Sequence, residues 1–501
     1  MKKVLFLKNA AVLTVTSLIL RTIGIFFRVW ITGQIGAEGI GLYQVVFSVY
    51  VLASTFATSG ICTAVTRIIT ERLAEGDKKG VEKTLKTSVL LCLLIAFVTI
   101  LTIFLFSGPI SKYLIKDERA EISLKILCLS LPFIGVCSVI RGYFLARRKS
   151  LQPSFAQIFE QLLRILVIVF LVGKVAPYGI AWTSAAVMAG DSVSEMVGAA
   201  FLYLSYLADK KHIKHEKDSG GGIFKEILRI ATPISAGRYL HTALRTAENL
   251  LTPICLSKYK KTSMGGLEQF GMVKGMAIPL LLFPASILSS ISTLLVTEIT
   301  ESLQKGNKKG VSLSSEKVIY ITSIFSFLIS GIFFSGANQI GNLVYGSKEV
   351  GYLIRALSPL VPFMYLDLIC DGILKGLDGQ KMLFKTSVTD SAVRVILVLL
   401  LVPRFGMSGF LGVMLFSNVY TAVAAVVKIV KVTKMKISIK KLFLKPLFSV
   451  FASVVITGKL LSPTASNLVY ILTAAASITT LYFLFMFFLG GIKLNQNFLK
   501  K

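Results

Sequence analysis

The 501-residue chain is short of charge: Asp, Glu, Lys and Arg make up only 16% of it, where an ordinary soluble domain carries about 25%. That deficit, beside a hydrophobic content of 54%, excludes a soluble globular protein. Histidine is scarcer still, with three copies. His212 and His215 share one hydrophilic stretch and His241 stands alone in an apolar one, so neither a histidine metal cluster nor a histidine-based catalytic set is expected. No G-x-x-x-x-G-K-[ST] phosphate loop occurs, which argues against ATP hydrolysis within this chain. The six cysteines, Cys62, Cys92, Cys128, Cys137, Cys255 and Cys370, form no CxxC pair and lie in or beside apolar stretches. They read as small core residues, and no cofactor, metal or disulfide is implied. Acid is also short relative to base, 25 residues against 55, for a net charge of +30. In a soluble protein that excess would suggest nucleic acid. In a membrane protein Lys and Arg collect in cytoplasmic loops and set topology, so no nucleic-acid partner is inferred.

What the chain has in abundance is apolar runs of about 18 residues or more, recurring from end to end, the pattern of an all-α polytopic membrane protein. Fourteen spans are expected, at 10–32, 41–70, 87–108, 123–145, 154–173, 179–206, 227–256, 270–300, 318–334, 351–373, 386–403, 406–427, 446–461 and 467–490. The remaining loops and tails average roughly 13 residues, too few for a soluble catalytic domain. The first apolar run is read as an uncleaved span: it outlasts the apolar region of a signal peptide, includes Arg21 and lacks an A-x-A-like cleavage site. With both termini cytoplasmic, inner segments hold 33 Lys and Arg against 9 in outer loops, the asymmetry of the positive-inside rule. Lys258, Lys260 and Lys261 run against it locally.

The chain contains a duplication. Residues 71–81 (ERLAEGDKKGV) and 301–311 (ESLQKGNKKGV) match at seven of eleven positions. The same offset in numbering pairs Pro132 with Pro362, Gly142 with Gly372, Glu160 with Asp390, Arg164 with Arg394 and Gly179 with Gly409. The expected organisation is an N-terminal six-helix lobe (1–206), a cytoplasmic linker (207–226) of charge followed by glycines, a second six-helix lobe (227–431), and two further helices (432–501). A repeat of six spans gives parallel copies, and transporters built this way place substrate between the halves near the midplane.

A charge at the centre of a span costs about 2.5–3.5 kcal/mol on insertion scales, so it faces a partner or a wet cavity. Arg21 and Arg28 lie two turns apart on one helix face, as do Arg238 and Arg245. With Arg67 and Lys274 on the second and eighth spans, they would line a positive cavity suited to an anion. The guanidinium fork matches phosphate oxygens, which makes a lipid diphosphate the specific candidate. Snorkelling to head groups is the competing account for Arg67 and Arg21, and Glu248 is spaced to neutralise Arg245. Glu160–Arg164 and Asp390–Arg394 read as structural ion pairs. Asp191 with Glu195, and Asp367 with Asp371, are like-charged i,i+4 pairs that could share a proton or bind a coupling cation, or could each be met by a partner on a neighbouring helix. Pro279, Pro284, Pro359 and Pro362 should kink spans 8 and 10.

Four stretches carry a resemblance: Gly36–Gln44 (GAEGIGLYQ), Arg141–Phe144 (RGYF), Glu160–Arg164 (EQLLR) and Gly275–Pro284 (GMAIPLLLFP). Over about residues 8–490 the chain resembles the stage V sporulation protein B and polysaccharide biosynthesis family, within the multidrug, oligosaccharidyl-lipid and polysaccharide exporter superfamily. The resemblance implies two six-helix lobes forming a V-shaped cavity, plus two C-terminal spans, in the bacterial cytoplasmic membrane. It also implies movement of undecaprenyl-diphosphate-linked saccharide, as a peptidoglycan precursor or polysaccharide repeat unit, in cell-wall or spore assembly. Arg21, Arg28 and Arg67 resemble the cationic placement of related lipid II flippases, although Val29 stands where an acidic residue commonly follows.

The expected function is therefore an alternating-access flippase whose partners are a lipid-linked diphosphate saccharide and membrane lipid; the oligomeric state is left open, a monomer being compatible with it. An ion-coupled exporter of organic cations is the alternative, but that chemistry wants acid where spans 1 and 2 carry arginine. A membrane-bound glycosyltransferase would need catalytic groups in longer outer loops, so an enzyme is not expected.

Overall fold

The structure is a computed structural model that describes residues 2–149, 151–210, 222–259, 264–461 and 466–491, leaving aside the side chains of residues 2–14, Ser17, Leu18 and Arg21. The described residues form helices and no strand. In chain order these are α1 (Lys2–Thr58), α2 (Ile61–Glu75), α3 (Lys78–Pro109), α4 (Ala120–Cys128), α5 (Leu131–Ala146), α6 (Leu151–Val175), α7 (Ile180–Lys210), α8 (Ile223–Ser257), α9 (Gly266–Gly271), α10 (Ile278–Leu282), α11 (Ala285–Gln304), α12 (Lys308–Tyr345), α13 (Lys348–Leu357), α14 (Val361–Gly376), α15 (Gln380–Thr433), α16 (Lys445–Leu460) and α17 (Asn467–Phe488).

Nine helical stretches among the described residues are long and apolar enough to cross a membrane, or eleven when two bent pairs are each taken as one span. The two longest contain a glycine break each, at Gly36 (φ 68°) in α1 and Gly406 (φ 57°) in α15. Those angles lie in the left-handed region that only glycine enters at little cost. Dividing both stretches there, and adding the 35-residue α8 with its many charged residues, accounts for the fourteen spans expected. The chain is a multi-pass helical membrane protein.

Proline acts differently at its two predicted kinks. The chain bends by 65° between Gly266–Leu282 and Ala285–Gln304, at Pro284, after a π-helical turn at Met272–Ala277. Pro359 and Pro362 do less: Lys348–Gly376 counts as one span, interrupted only by the 3-10 turn Ser358–Leu360. Pro359 sits in that turn and Pro362 within the first turn of α14, where a missing N–H leaves no intrahelical bond unmade.

The helices gather into two compact units, one of Met1–Gly271 with Val398–Pro403, the other of Met272–Leu397 with Arg404–Lys501. The first therefore includes α8, which lies C-terminal to the linker of the sequence repeat. Ser235 on α8 donates to the carbonyl of Ser59 at 2.7 Å, Thr246 to that of Ser48 at 3.0 Å, and Tyr239 to that of Phe56 at 3.3 Å. The core of this unit packs Ile61, Ile68, Cys137, Tyr143, Phe144 and Ile227. In the second unit Phe327 and Val450 pack with Ile478, Tyr482 and Met486 of α17.

The duplication is visible in the packing. Within a membrane, helices associate by close approach rather than by hydrophobic burial, so small residues mark their contacts. A Cβ on Gly142 of α5 would lie 3.0 Å from the Cys62 carbonyl oxygen, and one on Gly372 of α14 would lie 2.6 Å from that of Ser292. Cys62 and Ser292 are related by the same offset as the two glycines, so each unit carries the same helix crossing. The caps repeat too: Asp77 accepts from the Gly80 amide at 2.7 Å and Asn307 from that of Gly310 at 2.9 Å.

Candidate functional site

The densest charge lies inside the first unit, where α5, α6 and α7 meet. Arg164 on α6 is its centre. Its Nη2 is 3.0 Å from Glu160 and 3.6 Å from Glu195, and its Nε is 3.0 Å from Asp191 Oδ1. Arg141 of α5 reaches the other Glu160 oxygen at 3.2 Å. Glu160 and Arg164 share a face because they are one turn apart. Asp191 and Glu195 present a second such pair from α7, and glycine brings the helices close, since a Cβ on Gly198 would sit 3.1 Å from Glu160 Oε2.

Two guanidinium groups thus meet three carboxylates. Beside them lies a small cavity of about 130 Å3 that Arg28 lines with Tyr43, Gln161, Arg164 and Asp191. Asp191 is buried, and its Oδ2 has no hydrogen-bond partner among the described residues. An ionised oxygen in a low-dielectric interior without a donor is expensive, so this atom is where a proton or small cation would gain most.

The six basic candidates sit in different settings. Arg28 lines the cavity just described. Arg67 is 65% exposed on α2 and pairs with Glu71, one turn on, at 3.0 Å. Arg238 and Arg245 are exposed on α8, whereas Glu248, spaced to neutralise Arg245, is buried. Lys274 is half-buried in the π-helical turn of the second unit. The side chain of Arg21 lies outside those described.

The like-charged acid pairs resolve into separate arrangements. Asp191 and Glu195 are both held by Arg164, as a partner on a neighbouring helix would hold them. Asp371 is turned to Lys375 on its own helix at 2.5 Å, and Asp367 is half-buried on the same helix. Asp390 accepts from the Ser417 hydroxyl at 2.6 Å, which itself accepts from Arg394 at 3.2 Å. Sequence reasoning missed Arg141 and Tyr43 as members of the cluster; both lie inside the motifs RGYF and GAEGIGLYQ, which was the available clue.

Outside the spans, Arg119 binds Asp117 at 2.7 Å and Glu38 at 2.5 Å. These hydrogen bonds, first to Asp117 and then to Glu38, hold its guanidinium pKa above the ordinary value despite some desolvation. That ties the residues following Gly36 to the segment between α3 and α4.

Residues 6–291 match the family model described as polysaccharide biosynthesis protein. Among curated proteins, the chain is 24% identical to stage V sporulation protein B of Bacillus subtilis (strain 168) over 466 residues, 91% of this chain and 89% of the relative. It is 21% identical to the lipid II flippase MurJ of the same organism over 425 residues, 78% and 76% of the two chains. Among solved structures, one titled as lipid II flippase MurJ in an inward closed conformation superposes with a TM-score of 0.74 at 15% identity, covering 95% of this chain and 98% of that one. That likeness establishes the fold.

Proposed function

The chain belongs to the polysaccharide biosynthesis protein family, and from that premise we propose that it is a flippase carrying a lipid-linked, diphosphate-bearing saccharide across the cytoplasmic membrane. The observation that carries the reading is the distribution of charge in the first unit. The inward-facing carboxylates Glu160, Asp191 and Glu195 are all engaged by Arg164, whereas Arg67, Arg238 and Arg245 remain exposed on α2 and α8. Basic groups exposed on membrane helices suit an anionic substrate, and carboxylates buried against Arg164 offer little to an organic cation. The curated relative named as a lipid II flippase supplies the substrate class.

In this reading Arg28, Arg67, Arg238 and Arg245 bind the diphosphate, with Arg21 and Lys274 contributing from their own segments. Asp191, whose Oδ2 has no hydrogen-bond partner among the described residues and which lines one cavity with Arg28, is the group through which a proton or cation would couple to transport; Glu195, Asp367 and Asp371 are secondary candidates. Both termini are assigned to the cytoplasm by the excess of Lys and Arg in the inner segments. The protein moves its substrate rather than transforming it.

The test is translocation of a fluorescent lipid-linked diphospho-sugar in liposomes containing the purified protein. Wild type should transport, and Arg28→Ala and Arg245→Ala should each lose at least roughly tenfold in rate, the scale of a lost charge-assisted contact. Equal rates in wild type and both variants would remove the anion-binding assignment.

A further inference from the structure

A second cavity lies within the first unit, away from the Arg164 cluster. It has a volume of about 800 Å3 and runs between the second half of α1, the latter part of α3 with the π-helical turn Ile110–Ile115, and α8. That size falls in the range of about 300–1,000 Å3 typical of small-molecule sites. Its walls are apolar, with Leu52, Phe56, Val98, Ile103, Leu250 and Leu251 among them.

The threonines that line it do not make it polar. Thr99 donates its hydroxyl to the Ile95 carbonyl at 2.8 Å, Thr102 to that of Val98 at 2.8 Å, and Thr246 to that of Ser48 at 3.0 Å. With those protons spent on backbone, the slot behaves as a hydrocarbon surface. Its charge is confined to one end, where α3 and α8 both terminate. Lys116 follows the π-helical turn in a left-handed conformation (φ 59°) and Lys258 caps α8; both border the cavity. Neither has a carboxylate partner among the described residues, and the nearby acids Asp117 and Glu38 are taken by Arg119. Lysines at helix C-termini also complement the helix dipole, but that role does not require both to open onto one apolar slot.

We infer that this groove is a lipid site, in which one acyl chain of an anionic phospholipid lies along α1, α3 and α8 and its phosphate rests between the ammonium groups of Lys116 and Lys258. The shape supplies the match: a hydrocarbon slot ending in two cations is the complement of a chain ending in an anion. Lysine binds phosphate as a point charge without demanding a fixed fork, which fits a phosphodiester held at the edge of a bilayer. The site is independent of the flippase reading.

The experiment is native mass spectrometry of the purified full-length protein titrated with phosphatidylglycerol and, separately, with phosphatidylcholine of the same acyl chains. Wild type should retain phosphatidylglycerol preferentially. Each of Lys116→Ala and Lys258→Ala should weaken that binding about fivefold, and the double variant about 30-fold. Ala247→Trp, which fills the slot and leaves both lysines, should weaken both lipids. Lys174→Ala, removing another lysine near a helix end, should change neither. Both groove lysines are exposed, so the double variant keeps its fold, checked by an unchanged melting temperature. Equal retention of the two lipids by wild type, or undiminished phosphatidylglycerol binding by the double variant, would overturn the assignment. In a third titration, with undecaprenyl diphosphate, a loss in the double variant confined to that lipid would also overturn it, making the groove part of a substrate path instead.

Discussion

The two copies of the repeat each carry an acid and an arginine one turn apart, and use them differently. In the first, Glu160 and Arg164 are joined by Arg141, Asp191 and Glu195 in a buried cluster. In the second, Asp390 and Arg394 meet through Ser417, and the positions equivalent to Arg141, Asp191 and Glu195 hold Asp371, Thr421 and Ala425. Helix crossings and caps are shared by both copies, whereas the dense charge belongs to one.

The sharpest way to break this comparison is at its centre. Arg164→Met strands Asp191 and Glu195 and leaves Glu160 with Arg141 alone, and breaking a buried ion pair from one side costs about 3–5 kcal/mol. Arg394→Met strands one buried carboxylate, Asp390, which keeps the Ser417 hydroxyl, and should cost less, about 3 kcal/mol at the lower end of that range. Thermal unfolding in detergent reads both, and equal losses would mean the two pairs are energetically equivalent. A middle-sized effect tests the shared crossing. Gly372→Ala and Gly142→Ala each force a Cβ against the facing helix, at about 1–3 kcal/mol for overpacking. The Gly372 variant should be the worse, because its nearest carbonyl oxygen is 2.6 Å away rather than 3.0 Å; the reverse order in melting temperature would break the proposed equivalence. Smallest are the caps. Asp77→Ala and Asn307→Ala should each cost about 1 kcal/mol, with Asp77 the larger because it is buried and close to Arg72 at 3.7 Å while Asn307 is exposed. Melting curves of the two variants at matched protein concentration check the order.

Much of the fold was legible before any coordinate. Apolar runs of membrane-spanning length reveal spans directly, because no water in the bilayer core can satisfy an open backbone. The constant register between the halves revealed the duplication, since matched turns and glycines recur only where helices cross in the same way. Less legible were the connections. The stretch 33–40 reads as a loop from its glycines, yet the chain passes from one helix to the next with Gly36 alone out of helical geometry. Pro359 reads as a kink and proves to sit in a 3-10 turn of one continuous span.

What the sequence alone determined is the class of molecule: a multi-pass helical membrane protein, internally duplicated, with arginine where a cation exporter would carry acid. Hydropathy and periodicity act along the chain, and those features are written along it. Tertiary structure decided the company each charge keeps. Helical spacing says that Asp191 and Glu195 share a face, but only packing brings Arg164 of another helix between them and Arg141 of a third to Glu160. It likewise decided that Lys116 and Lys258, far apart in the chain, border one apolar slot. Partners distant in the chain are set by which helices touch and at what rotation, and neither quantity is encoded in any single segment.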